Sequence, residues 1–354
     1  MSASPVAKTS PGNFFEDFRL GQQIRHATPR TVTLGDVALY NGLFGARFAV
    51  QSADTFARKI GYPCSPVDDL LVFHVVFGKT VPDISLNAVA NLGYADCRFL
   101  KPIYPGTTLN AVSEVIGLRE NSNKKTGIVY VRSRGFDESG DTVLDYARWV
   151  MVRKRDERAP TPDEKVPELP KSVEPAHLGR ACPAIDAAAY DLALSGSSHR
   201  FGDYGVGDKI DHVDGSTVEE AEHMIATRLY QNTARIHFNQ FAESKGRFGR
   251  RLIYGGHAIS LARALSFNGL GNAFHVAAIN GGRHVAPLFA GCTVFAWSEV
   301  LESAGLPGRN DVGALRLRTI ATKDRPCSDF PFKSSDDYDP AVILDLDYWV
   351  LMPK

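Results

Sequence analysis

Three polar side chains of different chemistry lie within six positions in the stretch QNTARIHFNQ. They are Asn232, Arg235 and His237, and the glycine pair Gly255 and Gly256 follows in RLIYGGHAIS. An imidazole titrates near neutral pH and can move a proton, an amide can hydrogen-bond water, and a guanidinium can bind a carboxylate. The stretch therefore contains the residue types of an acid–base site, although each of the three side chains could instead be structural.

The composition is that of an ordinary cytoplasmic protein. The chain has 354 residues, which favours two domains, and it is 44% hydrophobic and 23% charged. Forty basic residues balance forty acidic ones, and this balance argues against nucleic acid or an anionic membrane as partner. The five cysteines are scattered without a CxxC pair, which indicates a reducing compartment and no metal site. Residues 1–12 lack the apolar core of a signal peptide and are expected to form a short disordered tail.

Two halves of the chain repeat one pattern. Three pairs of segments match in the same order, at offsets of 186, 185 and 200 residues: FEDFRLGQQIRH with FGDYGVGDKIDH, RFLKPIYPGTTLNAVSEV with RHVAPLFAGCTVFAWSEV, and LDYARWV with LDLDYWV. Between the halves, residues 154–177 contain five prolines and many charges, which is typical of a linker. We therefore expect a duplicated fold with domains at 13–153 and 178–354.

Each half contains one strongly apolar helix followed by four β-rich segments. The helices are LLVFHVVFG (70–78) and HAISLARALSFNG (257–269). In the first half the β-rich segments are ANLGYADCRFL, TTLNAVSEVIGLRE, GIVYVRSRGF and VLDYARWVMVRK. Their alternation and turn-rich gaps indicate antiparallel strands. A helix that is apolar on nearly every face must be covered all round, so the predicted fold class is α+β, with an antiparallel sheet wrapped around a central helix in each half.

This arrangement resembles the tandem (double) hot-dog proteins. The segment 229–268 is similar to the hydratase motif of MaoC-like enoyl-CoA hydratases, which has an Asp, then Asn-Pro, a His five residues after the Asp and a Gly about eighteen beyond the His. His237 and Gly255 match the last two positions. Over nearly the whole chain, the pattern is most similar to the mesaconyl-CoA hydratase (β-methylmalyl-CoA dehydratase) family.

The resemblance implies a hydro-lyase that dehydrates β-methylmalyl-CoA reversibly to mesaconyl-CoA (2-methylfumaryl-CoA), in acyl-CoA carbon assimilation such as the ethylmalonyl-CoA pathway. His237 would be the acid–base group, and Gly255 would donate its backbone N–H to the thioester oxygen as negative charge develops there. No cofactor is expected, because coenzyme A is part of the substrate. The resemblance also implies a homodimer.

Asn232 departs from the family motif, which has an Asp at this position. An amide cannot act as a base, so the site is either inactive or adapted to a substrate with a second carboxylate, which a neighbouring Asp would repel. In the second case Asn232 would orient water and Arg235 would hold the substrate carboxylate, although Arg235 could equally form a structural ion pair. Arg47 occupies the position of His237 in the first half, which is expected to bind substrate or shape the pocket.

Several neighbours are weaker candidates for substrate binding. Tyr254, Gly256 and His257 flank or follow Gly255 and could bind substrate or simply pack. The loop KGRFGRR could meet the phosphates of coenzyme A, or be a solvated basic loop, through four cations: Lys245, Arg247, Arg250 and Arg251. The extra residues 324–340 of the second half could form a lid, a dimer contact or surface decoration.

Two rival functions remain open at this point. A hot-dog thioesterase would polarise the same carbonyl but usually needs a carboxylate base, and residues 229–242 contain neither Asp nor Glu. A non-catalytic acyl-CoA-binding protein would explain Asn232. Release of free coenzyme A would identify the first, and binding without turnover would identify the second.

Overall fold

The β-rich segments predicted in both halves are strands in the computed structural model, which describes residues 8–354. The strands are β1 (Gln23–Thr31), β2 (Ala88–Phe99), β3 (Thr108–Glu120), β4 (Thr126–Phe136), β5 (Thr142–Arg153), β6 (Lys209–Asp211), β7 (Ser216–Thr217), β8 (His275–His284), β9 (Thr293–Gly305), β10 (Val312–Lys323), β11 (Lys333–Ser334), β12 (Asp337–Tyr338) and β13 (Val342–Pro353). The helices are α1 (Leu34–Phe44), α2 (Ala49–Ser52), α3 (Asp54–Lys59), α4 (Asp69–Thr80), α5 (Leu192–Ser195), α6 (Glu220–Leu229), α7 (Gln240–Glu243), α8 (Gly255–Leu265) and α9 (Phe267–Leu270).

One antiparallel sheet runs through both halves. Its strand order is β1-β3-β4-β5-β2-β8-β13-β10-β9-β6, and β7 pairs with β9. The halves join where β2 pairs with β8, with Tyr94 opposite Gly282 and Arg98 opposite Ala278. The predicted α+β fold is confirmed, with the difference that the two sheets form a single continuous one.

The two predicted central helices are α4 and α8. Every residue of α4 after Asp69 is buried, as expected for a helix that is apolar on nearly every face. Helix α8 begins two residues before the predicted start and ends at Leu265, and the end of the predicted helix lies in α9, where Asn268 and Gly269 have non-helical backbone angles. The two helices meet where His74 Nε2 and Ser260 Oγ share a hydrogen bond of 2.9 Å. This bond satisfies polar groups that would otherwise be costly to bury.

The duplication extends to buried polar networks. In the first half His26 Nε2 shares a hydrogen bond with Ser113 Oγ at 2.7 Å, and Ser113 bonds Ser133 at 2.7 Å. In the second half the corresponding chain runs from His212 Nε2 through Ser298 Oγ to Thr319 Oγ1: its two hydrogen bonds measure 2.8 and 2.7 Å. Hydrogen bonds of the same kind, from an imidazole to one hydroxyl and on to a second, therefore connect corresponding segments in each half.

The remaining predicted segments lie at the periphery. The predicted disordered tail comprises residues 1–12, of which residues 1–7 lie outside the described residues. Near the end of this tail, the Pro11 carbonyl accepts a hydrogen bond of 3.0 Å from Asn87 Nδ2. The segment 324–340 contains the β11–β12 hairpin, and Trp297 Nε1 donates to the Pro331 carbonyl there at 2.9 Å. Within residues 8–354, no helix is long and apolar enough to cross a bilayer.

Candidate active site

A cavity of about 420 Å³ lies between the first turn of α8, the β2–β8 junction and the QNTARIHFNQ stretch. Five residues predicted from the sequence line it: Asn232, His237, Arg247, Tyr254 and Gly255. Five polar residues that the sequence reasoning did not select also line it, namely Ser85, Asn91, Tyr94, Arg148 and His284. Most of the other lining side chains are apolar, which is typical of a site that binds an acyl group and excludes water.

His237 is held as a neutral base. It ends the short 3₁₀ turn Arg235–His237, and its Nδ1–H donates to the Leu252 carbonyl at 2.9 Å. This hydrogen bond leaves Nε2 as the unprotonated nitrogen. Burial lowers the pKa of His237 to about 4, so the imidazole is uncharged at neutral pH and can accept a proton.

Asn232 is buried and has a fixed orientation. Its Oδ1 accepts a hydrogen bond from the backbone N–H of Ala234 at 3.0 Å, and its own backbone N–H donates to the Thr227 carbonyl at 2.9 Å. With the oxygen occupied, the amide group has its Nδ2–H donors left for a ligand in the cavity. Asn232 can therefore orient water or substrate but cannot remove a proton.

Gly255 is the first residue of α8, so its backbone N–H has no acceptor within the helix. Its glycine identity follows from a close approach, since an added Cβ would lie 2.4 Å from His284 Cε1. The preceding residue is held in place because the Tyr254 backbone N–H donates to His223 Nε2 at 2.8 Å. A free N–H at the positive end of a helix can stabilise negative charge on a carbonyl oxygen.

His284 adds a second imidazole to the cavity. It ends β8, packs over Gly255, and shares a hydrogen bond of 3.2 Å between its Nε2 and the Tyr94 hydroxyl. Burial, and secondarily the nearby His237, lower the pKa of His284 to about 4. The repeat contained a signal for it: the match of RFLKP with RHVAP aligns His284 with Phe99, so an imidazole replaces a buried apolar side chain.

Arg148 places a guanidinium at the cavity from strand β5. It is fully buried, its Nη2 donates to Thr80 Oγ1 at 2.7 Å, and its Cζ lies 4.2 Å from the centre of the Phe77 ring. Burial lowers the pKa of the Arg148 guanidinium from its usual value. Here too the repeat contained a signal, since the match of LDYARWV with LDLDYWV aligns Arg148 with the uncharged Tyr348.

Four of the predicted binding residues do not reach the cavity. Arg235 is exposed, because its side chain leaves the 3₁₀ turn towards solvent and not towards the cavity. Arg47 lies elsewhere, with its Cζ 4.5 Å from the centre of the Phe267 ring. Gly256 and His257 are buried in the helix packing behind Gly255 and do not line the cavity. Their predicted contacts with substrate are therefore not supported by their positions.

The basic loop contributes one side chain. Arg247 lines the cavity together with Phe248, and both are exposed, which places them at its mouth. Arg250 and Arg251 already bind protein oxygen atoms, and Lys245 is exposed outside the cavity.

Within residues 8–354, no cluster of three or more His, Cys, Asp or Glu side chains could hold a metal ion.

The family model and the similar proteins identify the same family. The sequence model of the mesaconyl-CoA hydratase family matches residues 4–330. The chain is 63% identical to the β-methylmalyl-CoA dehydratase of Chloroflexus aurantiacus, covering 98% of this chain and 99% of that protein. It is 59% identical to the mesaconyl-CoA hydratase of Cereibacter sphaeroides, covering 98% of this chain and 100% of that protein.

Solved structures agree with this result. A MaoC domain protein dehydratase from Chloroflexus aurantiacus superposes with a TM-score of 0.96 at 63% identity, over 98% of this chain and 99% of that one. A Mycobacterium tuberculosis protein described as having a double hotdog fold gives a TM-score of 0.76 at 25% identity, over 97% and 99% of the two chains. The chain therefore belongs to the mesaconyl-CoA hydratase family, within the MaoC-like double hot-dog proteins.

Proposed function

We propose that this protein interconverts β-methylmalyl-CoA and mesaconyl-CoA by removing or adding water. Support comes from the two relatives at 63% and 59% identity, which cover nearly all of the chain and are named for these substrates. The observation that carries the proposal is that a neutral imidazole, His237, and the free helix-terminal N–H of Gly255 line the same apolar cavity.

The thioester carbonyl binds at the start of α8. Addition of water to the double bond moves negative charge onto the carbonyl oxygen, and the N–H of Gly255 donates to that oxygen. Such a donor typically stabilises the transition state by about 2.7–4 kcal/mol. The acyl chain then extends along the apolar wall past His237.

Two proton transfers complete the hydration. His237 Nε2 removes a proton from the water that adds to Cβ, and the Nδ2–H of Asn232 orients this water. The Tyr94 hydroxyl, which shares a hydrogen bond with His284 beside Gly255, delivers its proton to Cα. The two groups return to their starting protonation states through solvent, and dehydration follows the same steps in reverse.

Asn232 suits a substrate that carries its own carboxylate. In β-methylmalyl-CoA the hydroxyl-bearing carbon also bears a free carboxylate, so an aspartate at this position would face a like charge in a buried site. An amide removes this repulsion and retains hydrogen-bond donors.

The thioesterase alternative has less support. Among the residues that the structure describes, no Asp or Glu lines the cavity, so a carboxylate base is lacking. Turnover of mesaconyl-CoA in water enriched in heavy oxygen, followed by mass spectrometry, separates the two reactions. A hydratase places the label in the new hydroxyl of an intact thioester, whereas a thioesterase places it in a released carboxylate and frees coenzyme A. Labelled free acid would overturn the proposal.

The proposal includes the cellular setting. We expect a homodimer in the cytoplasm, as in related hot-dog proteins, with acyl-CoA as the bound partner and no cofactor besides the coenzyme A of the substrate. Light scattering of the purified protein and activity after exhaustive chelation test these two points.

A further inference from the structure

We propose that Arg148 binds the free carboxylate of the acyl group and thereby selects dicarboxylic acyl-CoA substrates. This inference rests on the proposed function and assigns to Arg148 the role that the sequence favoured for Arg235. It also explains why a fully buried cation lies at the wall of a mostly apolar cavity.

The charge of Arg148 has no counter-ion in the described part of the chain. Its hydrogen bonds go only to neutral hydroxyls, Thr80 Oγ1 at 2.7 Å and Ser85 Oγ at 3.4 Å, and its Nε and Nη1 have no partner. Burying an unpaired charge is costly, so natural buried cations normally meet a carboxylate. An anionic ligand that supplies the missing charge would be bound strongly in this position.

A half-buried arginine on the neighbouring strand provides the contrast. Arg132 on β4 donates to Asp96 at 2.6 Å and to Asp145 at 2.8 Å, so its charge is neutralised by the protein itself. The sheet therefore pairs Arg132 with carboxylates and leaves Arg148, which lines the cavity, without any. This difference is expected if the partner of Arg148 is the substrate.

The position of Arg148 fits the geometry of the acyl group. Arg148 is the cross-strand neighbour of Tyr94, and Tyr94 bonds His284, which packs over Gly255. Cross-strand neighbours point to the same face of a sheet. The oxyanion donor, the second proton-transfer group and the guanidinium thus follow one another along the cavity, in the order of the thioester, the reacting carbons and the distal carboxylate.

Neighbouring polar groups can complete the carboxylate site. Asn91 on β2 lines the same cavity, and both its side-chain oxygen and nitrogen are buried without a partner. Ser85 also lines it and already contacts the guanidinium. The Phe77 ring lies against the guanidinium and holds its plane, so its free N–H groups are ordered before the ligand arrives.

The test compares two substrates that differ only in the group that Arg148 would bind. Mesaconyl-CoA carries a carboxylate on Cβ, and (E)-2-methylbut-2-enoyl-CoA carries a methyl in its place. We expect Arg148→Met to lower kcat/KM for mesaconyl-CoA by about 100-fold or more, because a buried charge pair is lost. The same variant should hydrate the methyl analogue as well as the unmodified enzyme, or better. An equal loss on both substrates, or no loss on mesaconyl-CoA, would overturn the inference.

Two control variants separate substrate recognition from folding. Arg132→Met removes a half-buried arginine that is already paired with Asp96 and Asp145, so it should lower the melting temperature without changing the ratio of kcat/KM for the two substrates. Arg235→Ala tests the exposed arginine and should leave this ratio unchanged. Arg148→Met should melt no lower than the unmodified protein, since replacing an unpaired buried cation by an apolar side chain is often stabilising.

An inhibition measurement on the unmodified enzyme tests the carboxylate site even if Arg148→Met does not fold. Succinyl-CoA and butyryl-CoA cannot be hydrated and differ by the same carboxylate-to-methyl exchange. We expect succinyl-CoA to inhibit at least about tenfold more strongly, and Arg148→Lys, which keeps the charge, to retain part of this preference. Equal inhibition would refute the carboxylate site. Absence of any mesaconyl-CoA hydration by the unmodified enzyme would instead refute the proposed function.

Discussion

Substitution of Gly255 by alanine is the sharpest local perturbation of the site. The residue begins α8, its φ is not positive, and alanine is a good helix former, so the backbone itself tolerates the change. The added Cβ, however, would lie 2.4, 2.5 and 2.7 Å from three ring atoms of His284. Ordinary contacts of a Cβ begin near 3.4 Å, so the imidazole must move by about 1 Å.

This displacement affects two groups at once. A shift of about 1 Å breaks the 3.2 Å hydrogen bond between His284 and Tyr94, and the new methyl group obstructs the approach of a carbonyl oxygen to the N–H of Gly255. Loss of one oxyanion donor costs about 2.7–4 kcal/mol, or roughly 100- to 1,000-fold in kcat. We therefore expect Gly255→Ala to lose at least about 100-fold in kcat while the melting temperature changes little.

The assay is the absorbance of the enoyl thioester during hydration of mesaconyl-CoA. Gly42→Ala is the matched control: Gly42 lies in α1, has no positive φ, and an added Cβ would contact nothing within 4 Å. Gly42→Ala should hydrate mesaconyl-CoA at the rate of the unmodified enzyme. If Gly255→Ala hydrated mesaconyl-CoA within a few-fold of the unmodified rate, neither the oxyanion role of Gly255 nor the role of the hydrogen-bonded pair of His284 and Tyr94 in proton transfer could be correct.

Three further predictions concern protonation and charge. The kcat/KM for hydration should be level near neutral pH and fall as the pH drops towards about 4, because His237 must be unprotonated to accept a proton; rate–pH profiles check this. Burial lowers the pKa of His223 to about 2 and of His284 to about 4, below the value of about 6.5 in an unfolded chain, so the unfolded state binds more protons in acid. The free energy of unfolding in urea should therefore be constant above about pH 6.5 and fall as the pH decreases below it. Asn232→Asp should raise the KM for mesaconyl-CoA more than for its methyl analogue, and equal effects would contradict the repulsion argument.

The repeat and the hydrophobic patterns were sufficient to predict the fold. Alternation identified the strands, and two segments apolar on nearly every face identified α4 and α8. Both signals are local in sequence. The pairing of β2 with β8 was not predictable in this way, because it joins strands from different halves and the sequence of neither strand identifies the other as its partner.

The candidate site was predictable only in part, for the same reason. His237 and Gly255 follow a spacing within one half, and both line the cavity. Tyr94 and Arg148 belong to the first half and His284 to the second, so they meet only through the β2–β8 pairing. Arg235 was a reasonable carboxylate ligand by type, but the direction of its side chain depends on a 3₁₀ turn that spacing alone does not define.

The most direct test of the central claim is the rate of mesaconyl-CoA hydration by the unmodified enzyme and by His237→Ala, with substrate binding measured in parallel. We predict rapid formation of β-methylmalyl-CoA by the unmodified enzyme, and a loss of about 10²–10⁴ in kcat for His237→Ala with nearly unchanged binding of the substrate. Hydration by His237→Ala at the unmodified rate would contradict the account, and so would an unmodified enzyme that binds mesaconyl-CoA without turning it over.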